Sequence, residues 1–301
     1  AIADLVHAET EAGLRAARAQ LFGALGAVVE SLLSDARLLQ AEMEAALDFP
    51  EIAGDGPPEL ALRARALQSR ARSLYDSWRR GRALRDGARV VLAGATNAGK
   101  SSLFNALVGE ARAIVDPDPG TTRDVLEARV ELGGVPVTLV DTAGLRDGAG
   151  RIEQQGIVRA RAELDRADLV LWVREPGSTD APPRVPLVLE VASKADLGSG
   201  AGLAVSAATG EGLDRLREQI VARLTGGPAS SGAEVLVTNG RHAALLAQAA
   251  DSFGRVAEEA LPLELLAYEV RDGVASLERI LGRGVDDALL DEIFARFCIG
   301  K

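Results

Sequence analysis

Apolar residues in the first fifty positions recur every three or four places: Leu21, Leu25, Val28 and Leu32, then Ala36, Leu39, Met43 and Leu47. That period puts them on one face of a helix. It predicts helical structure over residues 2–47, stopped by Pro50 and the Gly-Pro-rich run 54–58. A second helical pattern covers 59–84. From Arg89 the texture changes: short runs rich in Val and Leu (RVVLAG, VPVTLVDTAG, DLVLWV, PLVLEVASK) alternate with helical stretches. This is the pattern of a mostly parallel sheet covered by helices. The pair Gly133-Gly134 predicts a hairpin turn and so one antiparallel strand pair. After the amphipathic GLDRLREQIVARL and the linker GGPASSGAE at 226–234, helical patterns return over 239–260, 262–281 and 285–297. The simplest architecture is an α/β domain, residues 88–226, inserted into an all-α domain made of residues 1–87 and 227–301.

Composition narrows the possible functions. At 301 residues and 47% hydrophobic, the chain can build one large or two medium cores. With 34 basic against 44 acidic residues its formal charge is −10. That excludes a generic phosphate-backbone binder, whose affinity comes from neutralising phosphates, so RNA contact must be local or supplied by a partner. Nine arginines and only two acids, Asp76 and Asp86, lie between Arg63 and Arg89. This stretch reads either as a solvated helix face or as a patch facing RNA or a partner. The single cysteine, Cys298, excludes an intrachain disulfide and suits a reducing compartment. No apolar run reaches the roughly 18–20 residues that span a bilayer, and no charged-then-apolar leader opens the chain. The expectation is a cytoplasmic protein with no membrane partner. Ala1 in place of Met is read as a processing or truncation boundary.

Only three of the 34 basic residues are lysines: Lys100, Lys194 and Lys301. Lys is a compact point charge on a slim stem, where Arg is a planar fork. Lys100 lies in Gly94-Ala-Thr-Asn-Ala-Gly99-Lys100-Ser101, the GxxxxGK[ST] phosphate loop, between a strand pattern and a helix pattern. Backbone amides of the segment Asn97, Ala98, Gly99, Lys100, Ser101 and Ser102 are expected to curl around phosphates. The Lys100 ammonium reaches the β and γ phosphates, and the Ser101 hydroxyl is a Mg²⁺ ligand.

Three further stretches select the base and sense the γ-phosphate. Asp141-Thr-Ala-Gly144 ends a strand pattern, where Asp141 can hold the Mg²⁺ shell and the Gly144 amide can sense the γ-phosphate. Asp196, in Ser193-Lys194-Ala195-Asp196, can accept hydrogen bonds from guanine N1–H and the 2-amine, which adenine does not offer. The Lys194 stem can pack along the base plane. Ser206 and Ala207 follow another strand pattern and place a backbone N–H where guanine O6 would lie. Together these predict a GTP site. Leu145 stands where a Ras-type scheme has its water-positioning Gln. Glu153 is the nearest replacement, and read alone it is either that or an ordinary surface helix glutamate. Residues 113–124, AIVDPDPGTTRD, with Thr121 and Thr122, suit a switch loop that orders on the γ-phosphate and Mg²⁺.

The order GATNAGKSS, PGTTRD, DTAGLR, SKAD and SAATGEG, with the terminal FCIGK, resembles the MnmE (TrmE) family of tRNA-uridine modification GTPases over essentially the whole chain. DLVHAET and ALDFPE look like that family's helical domain. The resemblance implies an α/β P-loop GTPase domain, Ras-like and of the TrmE-Era type, inserted into an all-α helical domain. Family members also carry an N-terminal folate-binding domain, absent from these 301 residues. It further implies that Asn97 binds a K⁺ ion acting in place of an arginine finger. The loop around Asp116 and Asp118 would complete the cage, ordered when two GTPase domains form a homodimer across their nucleotides. Thr122 would join Ser101 on Mg²⁺, Glu153 would position water, and Cys298 would serve the modification of tRNA wobble uridine to its 5-carboxymethylaminomethyl form. The implied partner is an FAD-containing protein resembling MnmG, with tRNA bound through the complex.

Two departures from the family pattern stand out. Ser193 replaces a usual Asn, which predicts a shortened or lost hydrogen bond between base site and P-loop. Thr96 replaces a usual Pro, which should loosen the loop. Two other functions fit part of the motif set. A ribosome-assembly GTPase switch would share the first four motifs but append an RNA-binding fold. A GTP-binding scaffold would bind with little turnover.

Overall fold

The computed structural model describes residues 2–48, 57–114, 126–142, 151–227, 235–258 and 261–283. The chain divides into two compact units, residues 1–18 with 79–234 and residues 19–78 with 235–301.

The first stretch is not one helix. It forms α1 (Ile2–Val6), α2 (Glu11–Leu21) and α3 (Ala24–Asp48). Thr10 caps α2 by accepting the Gly13 N–H at 3.1 Å, and Gly23, at φ 77°, breaks the chain between α2 and α3. The three-to-four period runs straight across these breaks, so periodicity alone could not show them. The second stretch splits likewise into α4 (Pro57–Asp76) and α5 (Trp78–Asp86). At the junction the buried Ser77 hydroxyl donates to the Leu74 carbonyl at 2.7 Å and accepts the Val237 N–H at 3.1 Å.

In the first unit follow β1 (Ala88–Ala93), α6 (Lys100–Glu110), β2 (Arg112–Ala113), β3 (Leu126–Leu132), β4 (Val135–Asp141), α7 (Arg151–Arg166), β5 (Leu169–Arg174), β6 (Val188–Ala192), β7 (Leu203–Ala204) and α8 (Leu213–Thr225). The seven strands form one sheet in the order β2-β3-β4-β1-β5-β6-β7. β4, β1, β5, β6 and β7 are parallel, and only the β2–β3 and β3–β4 pairs are antiparallel. The predicted hairpin is present. Leu132 pairs with Val135 across Gly133 and Gly134, whose φ values of 55° and 87° fit a type I′ turn. Val90, Val91 and Leu92 in β1 and Leu169 to Leu171 in β5 are almost fully buried, as expected of parallel strands covered on both faces. The chain leaves β1 toward β4 on one side and later returns to β5 on the other. β1 is thus the point where strand order reverses, the position beyond whose carboxyl end open α/β sheets bind their ligands.

The compact unit that holds the sheet also takes in residues 1–18 and 79–87. Ion pairs join these segments to it. Arg82 pairs with Asp168, Arg85 Nε with Asp4 at 2.9 Å, and Arg129 with Glu9 at 2.6 Å. Gly13 passes so close to the Leu84 carbonyl that a Cβ would lie 3.0 Å from it.

The second unit is a ring of four helices: α3 beside α4, α4 beside α9 (Gly240–Ala257), α9 beside α10 (Leu263–Ile280), and α10 back against α3. Its core includes Leu32, Leu33, Leu39, Met43, Phe253 and Leu277. Asn239 caps α9 by accepting the Arg241 N–H at 2.9 Å. Gly273 makes room for the Phe253 ring, since a Cβ there would fall 2.6 Å from Phe253 Cε1. The helix expected at 285–297 lies outside the described residues. Among those described, no single helix is long and apolar enough to cross a membrane. α2 and α3 pass that test only as a pair bent by 50°, and the apolar face of α3 is spent on the bundle core.

Candidate functional site

The carboxyl ends of β1, β4, β6 and β7 carry the motif residues to one edge of the sheet. After β1, Gly94 at φ 150° lets the chain pass β5 so closely that a Cβ would sit 2.1 Å from the Val173 carbonyl oxygen. Asn97 and Gly99 then adopt φ values of 64° and 85°, and Gly99 opens α6. Left-handed residues alternating in such a loop turn successive N–H groups inward and make an anion-binding concavity at a helix N-terminus. Asn97, a non-glycine held at positive φ, is exposed on the loop surface, while Ala98 is buried beneath it.

Lys100 and Asp141 are the two buried charged residues among those described, 4% and 1% exposed. Burying charge is costly unless it is matched. The Lys100 ammonium bonds the Ala95 carbonyl at 2.7 Å, across the concavity its own loop forms. Asp141, at the end of β4 and paired in register with Leu92, accepts the Ser101 hydroxyl at 2.6 Å. Next to it, Thr142 bonds the Leu92 carbonyl through its hydroxyl at 2.8 Å, locking the ends of β4 and β1 together. The Ser101 and Asp141 oxygens form a pair of hard donors of the kind that takes Mg²⁺ together with phosphate oxygens. Among the described residues no cluster of three His, Cys, Asp or Glu side chains could hold a metal by itself.

The loop that carries Ser193, Lys194 and Asp196 follows β6. Its tie to the P-loop, expected to be weakened by Ser193, is present. The Ser193 hydroxyl is positioned to donate to the Ala98 carbonyl at 2.7 Å, with the Arg174 carbonyl 3.0 Å away as the alternative acceptor. Ser193 Oγ reaches the P-loop because the loops touch: a Cβ built on Gly99 would lie 3.5 Å from Ser193 Cβ and 4.0 Å from Lys194 Cε. The Lys194 stem therefore runs over the P-loop glycine. Its backbone is left-handed, φ 53°, and its ammonium pairs with Glu175 at 2.8 Å. Asp196 accepts the hydroxyl of the buried Ser206 at 2.6 Å. A carboxylate oxygen has two acceptor sites, so this bond orients Asp196 and leaves capacity for a base edge. The backbone N–H of Ser206 is committed to the Glu211 carbonyl at 2.9 Å. Of the pair expected to meet guanine O6, that leaves the amide of the half-buried Ala207.

Glu153 falls in the first turn of α7. The far end of that helix is anchored by Glu163, which accepts Arg89 Nε at 2.7 Å, while Arg89 also pairs with Glu127. Asp116, Asp118, Thr121, Thr122, Gly144 and Cys298 lie outside the described residues, as does Lys301. The arginine-rich stretch is largely matched by acids. Arg63 pairs with Glu42, Arg70 with Asp35, Arg82 with Asp168 and Arg89 with Glu127 and Glu163, while Arg72 lies 4.9 Å over the Tyr75 ring. That favours the solvated-face reading over an RNA-facing patch. Sequence reasoning missed the Glu175 partner of Lys194 and the contact of Ser193 with the Arg174 carbonyl; neither Glu175 nor Arg174 stands in a motif.

A family model described as the MnmE helical domain matches residues 1–298. A tRNA modification GTPase MnmE of Myxococcus xanthus (strain DK1622) is 46% identical over 313 residues, covering 100% of this chain and 70% of the relative. The protein of the same name from Methylorubrum populi (strain ATCC BAA-705 / NCIMB 13946 / BJ001) is 47% identical over 314 residues, with 100% and 70% covered. That from Parvibaculum lavamentivorans (strain DS-1 / DSM 13023 / NCIMB 13966) is 43% identical over 313 residues, with 100% and 71% covered.

Proposed function

The chain belongs to the MnmE family, and from that premise we propose that it is a GTP hydrolase acting in tRNA modification. The observation that carries the nucleotide assignment is the meeting of two loops. Ser193 Oγ lies 2.7 Å from the Ala98 carbonyl, so the phosphate loop and the base-reading loop form one continuous cradle.

In this reading residues 88–226 are the GTPase domain, inserted into a helical domain formed by 1–87 and 227–301. Amides of Asn97 to Ser102 and the Lys100 ammonium hold the phosphates, with Thr121, Thr122 and Gly144 closing on the γ-phosphate. Asp196 reads the N1–H and 2-amine of guanine, Lys194 lies along the base plane, and the Ala207 amide, beside Ser206, faces O6. Mg²⁺ bound with the nucleotide would neutralise developing phosphate charge, and Ser101, Thr122 and Asp141 are the residues that would hold it. Glu153 orients the attacking water, doing the work that Leu145 cannot.

Several features rest on family likeness alone: a K⁺ ion at Asn97 with the loop around Asp116 and Asp118, a homodimer through the GTPase domains, an FAD-containing MnmG-like partner, and a role for Cys298 in modifying the wobble uridine. K⁺ would add the positive charge that an arginine finger supplies elsewhere. Glu153→Ala is expected to keep GTP affinity within about threefold and to lower turnover by about 10²-fold, the usual size of a lost proton-handling or water-positioning group. Asn97→Ala should also keep affinity and lose the rate difference between KCl and NaCl. Unchanged turnover in both variants, or equal wild-type rates in KCl and NaCl, would refute the respective assignment.

A further inference from the structure

The end of β5 contributes to the cradle in a way no motif records. Arg174 accepts the Ser193 N–H on its carbonyl oxygen at 2.8 Å, and the same oxygen lies 3.0 Å from the Ser193 hydroxyl as its alternative acceptor. Its guanidinium pairs with Glu190 and bonds the Asp180 carbonyl at 3.3 Å. The next residue, Glu175, sits on this fixed base and holds the Lys194 ammonium at 2.8 Å. Lys194 needs such a hold. Its backbone is in the left-handed region, which a side-chain-bearing residue occupies only when its surroundings enforce it. Its stem is the most flexible kind, and ordering it on ligand binding carries an entropic cost. Its carbonyl accepts the Leu197 N–H at 2.8 Å, and the next residue is held by the bond from the Ala195 N–H to the Val205 carbonyl at 3.2 Å. Glu175 pins its far end.

We propose that Glu175 is a positioning residue for guanine-nucleotide binding, which fixes the Lys194 side chain across Gly99 before the base arrives. This rests on reading the cradle as a guanine-nucleotide site. Glu175 touches neither base nor phosphate; it spares the ligand the work of ordering Lys194, a gain from preorganisation. The pair is partly exposed, with side chains 35% and 47% accessible, so its effect is modest and weakened by salt.

The test uses the full chain and the fluorescent probe N-methylanthraniloyl-GDP. Glu175→Gln is expected to raise its dissociation constant about two- to fivefold, the range for an exposed ion pair, and to leave kcat at saturating GTP unchanged. On a Lys194→Ala background the same substitution should change affinity by less than about 1.5-fold, because the partner is gone. In 0.5 M NaCl the difference should shrink. Wild-type affinity in Glu175→Gln, an equal loss on the Lys194→Ala background, or a fall in kcat alone would each overturn the proposal. Displacement of the probe from the wild type by ATP as readily as by GTP would instead remove the guanine-site reading beneath it.

Discussion

The four-helix ring and the sheet unit follow the same burial rules until charge is considered. Among described residues the ring buries no charged side chain; its buried polar groups are hydroxyls such as Ser77, Thr238, Ser252 and Ser276. The sheet unit buries Lys100 and Asp141. Both lie at the carboxyl-terminal edge of the parallel strands, Asp141 as the last residue of β4 and Lys100 at the start of the helix after β1. A fold tolerates such charges where a ligand repays them, and so the exception to hydrophobic burial marks the place of function. The ring's tight spots are matters of volume alone: Gly273 yields space to the Phe253 ring and Gly254 to the Gln68 side chain. One unit is organised around a polar cradle and the other around an apolar core, and each should fail in its own way.

The largest effect is expected at the cradle. Gly94→Ala sets a methyl against the Val173 carbonyl at 2.1 Å, at φ 150° where side chains are strained. Backbone cannot yield cheaply there, so the variant should lose at least about 3 kcal/mol of stability and all measurable GDP binding. Denaturant unfolding with bound-nucleotide fluorescence reads both. The counterpart in the ring is Gly273→Ala, which presses a methyl into the Phe253 ring. It should cost about 1–3 kcal/mol and leave GDP affinity unchanged; a tenfold loss of affinity there would erase the contrast between the two units.

The smallest effect is a pH dependence in the ring. Burial, and then the neighbouring Arg241 charge, hold the His242 imidazole below its usual pKa, and its buried Nδ1 has no hydrogen-bond partner among the described residues. The folded state thus binds the proton less readily than the unfolded chain. Its contribution is fully present above the ordinary His value of about 6.5 and fades as pH falls through the lower folded value. The melting temperature should drop between pH 7.5 and 5.5 by more in the wild type than in His242→Gln; equal drops would rule out this origin.

What could be read from the sequence follows the same division. The phosphate loop, the Gly133-Gly134 hairpin and the alternation of strands and helices are local patterns, and the structure has them in place. The breaks at residues 7–10 and 22–23 escaped, because a period of three to four continues through a cap and one glycine. The charge balance of the arginine-rich stretch escaped for a different reason. Arg70 finds Asp35 and Arg82 finds Asp168, partners 35 and 86 positions away, and long-range pairing leaves no trace in spacing. Ser193 is the instructive case. With Ser in place of Asn the bond to the P-loop was expected to be shortened or lost; it is kept, because the close approach of the two loops lets the hydroxyl reach the Ala98 carbonyl.

The central claim is that phosphate and base are held by one cradle in which Asp196 reads guanine. Displacement of N-methylanthraniloyl-GDP by GTP, ATP and XTP, from the wild type and from Asp196→Asn, tests it most directly. GTP should displace the probe from the wild type at concentrations about 100-fold below ATP, while the variant, which offers an amide donor where a carboxylate stood, should prefer XTP. Equal displacement by ATP and GTP, or a variant that keeps its preference for GTP, would contradict the account.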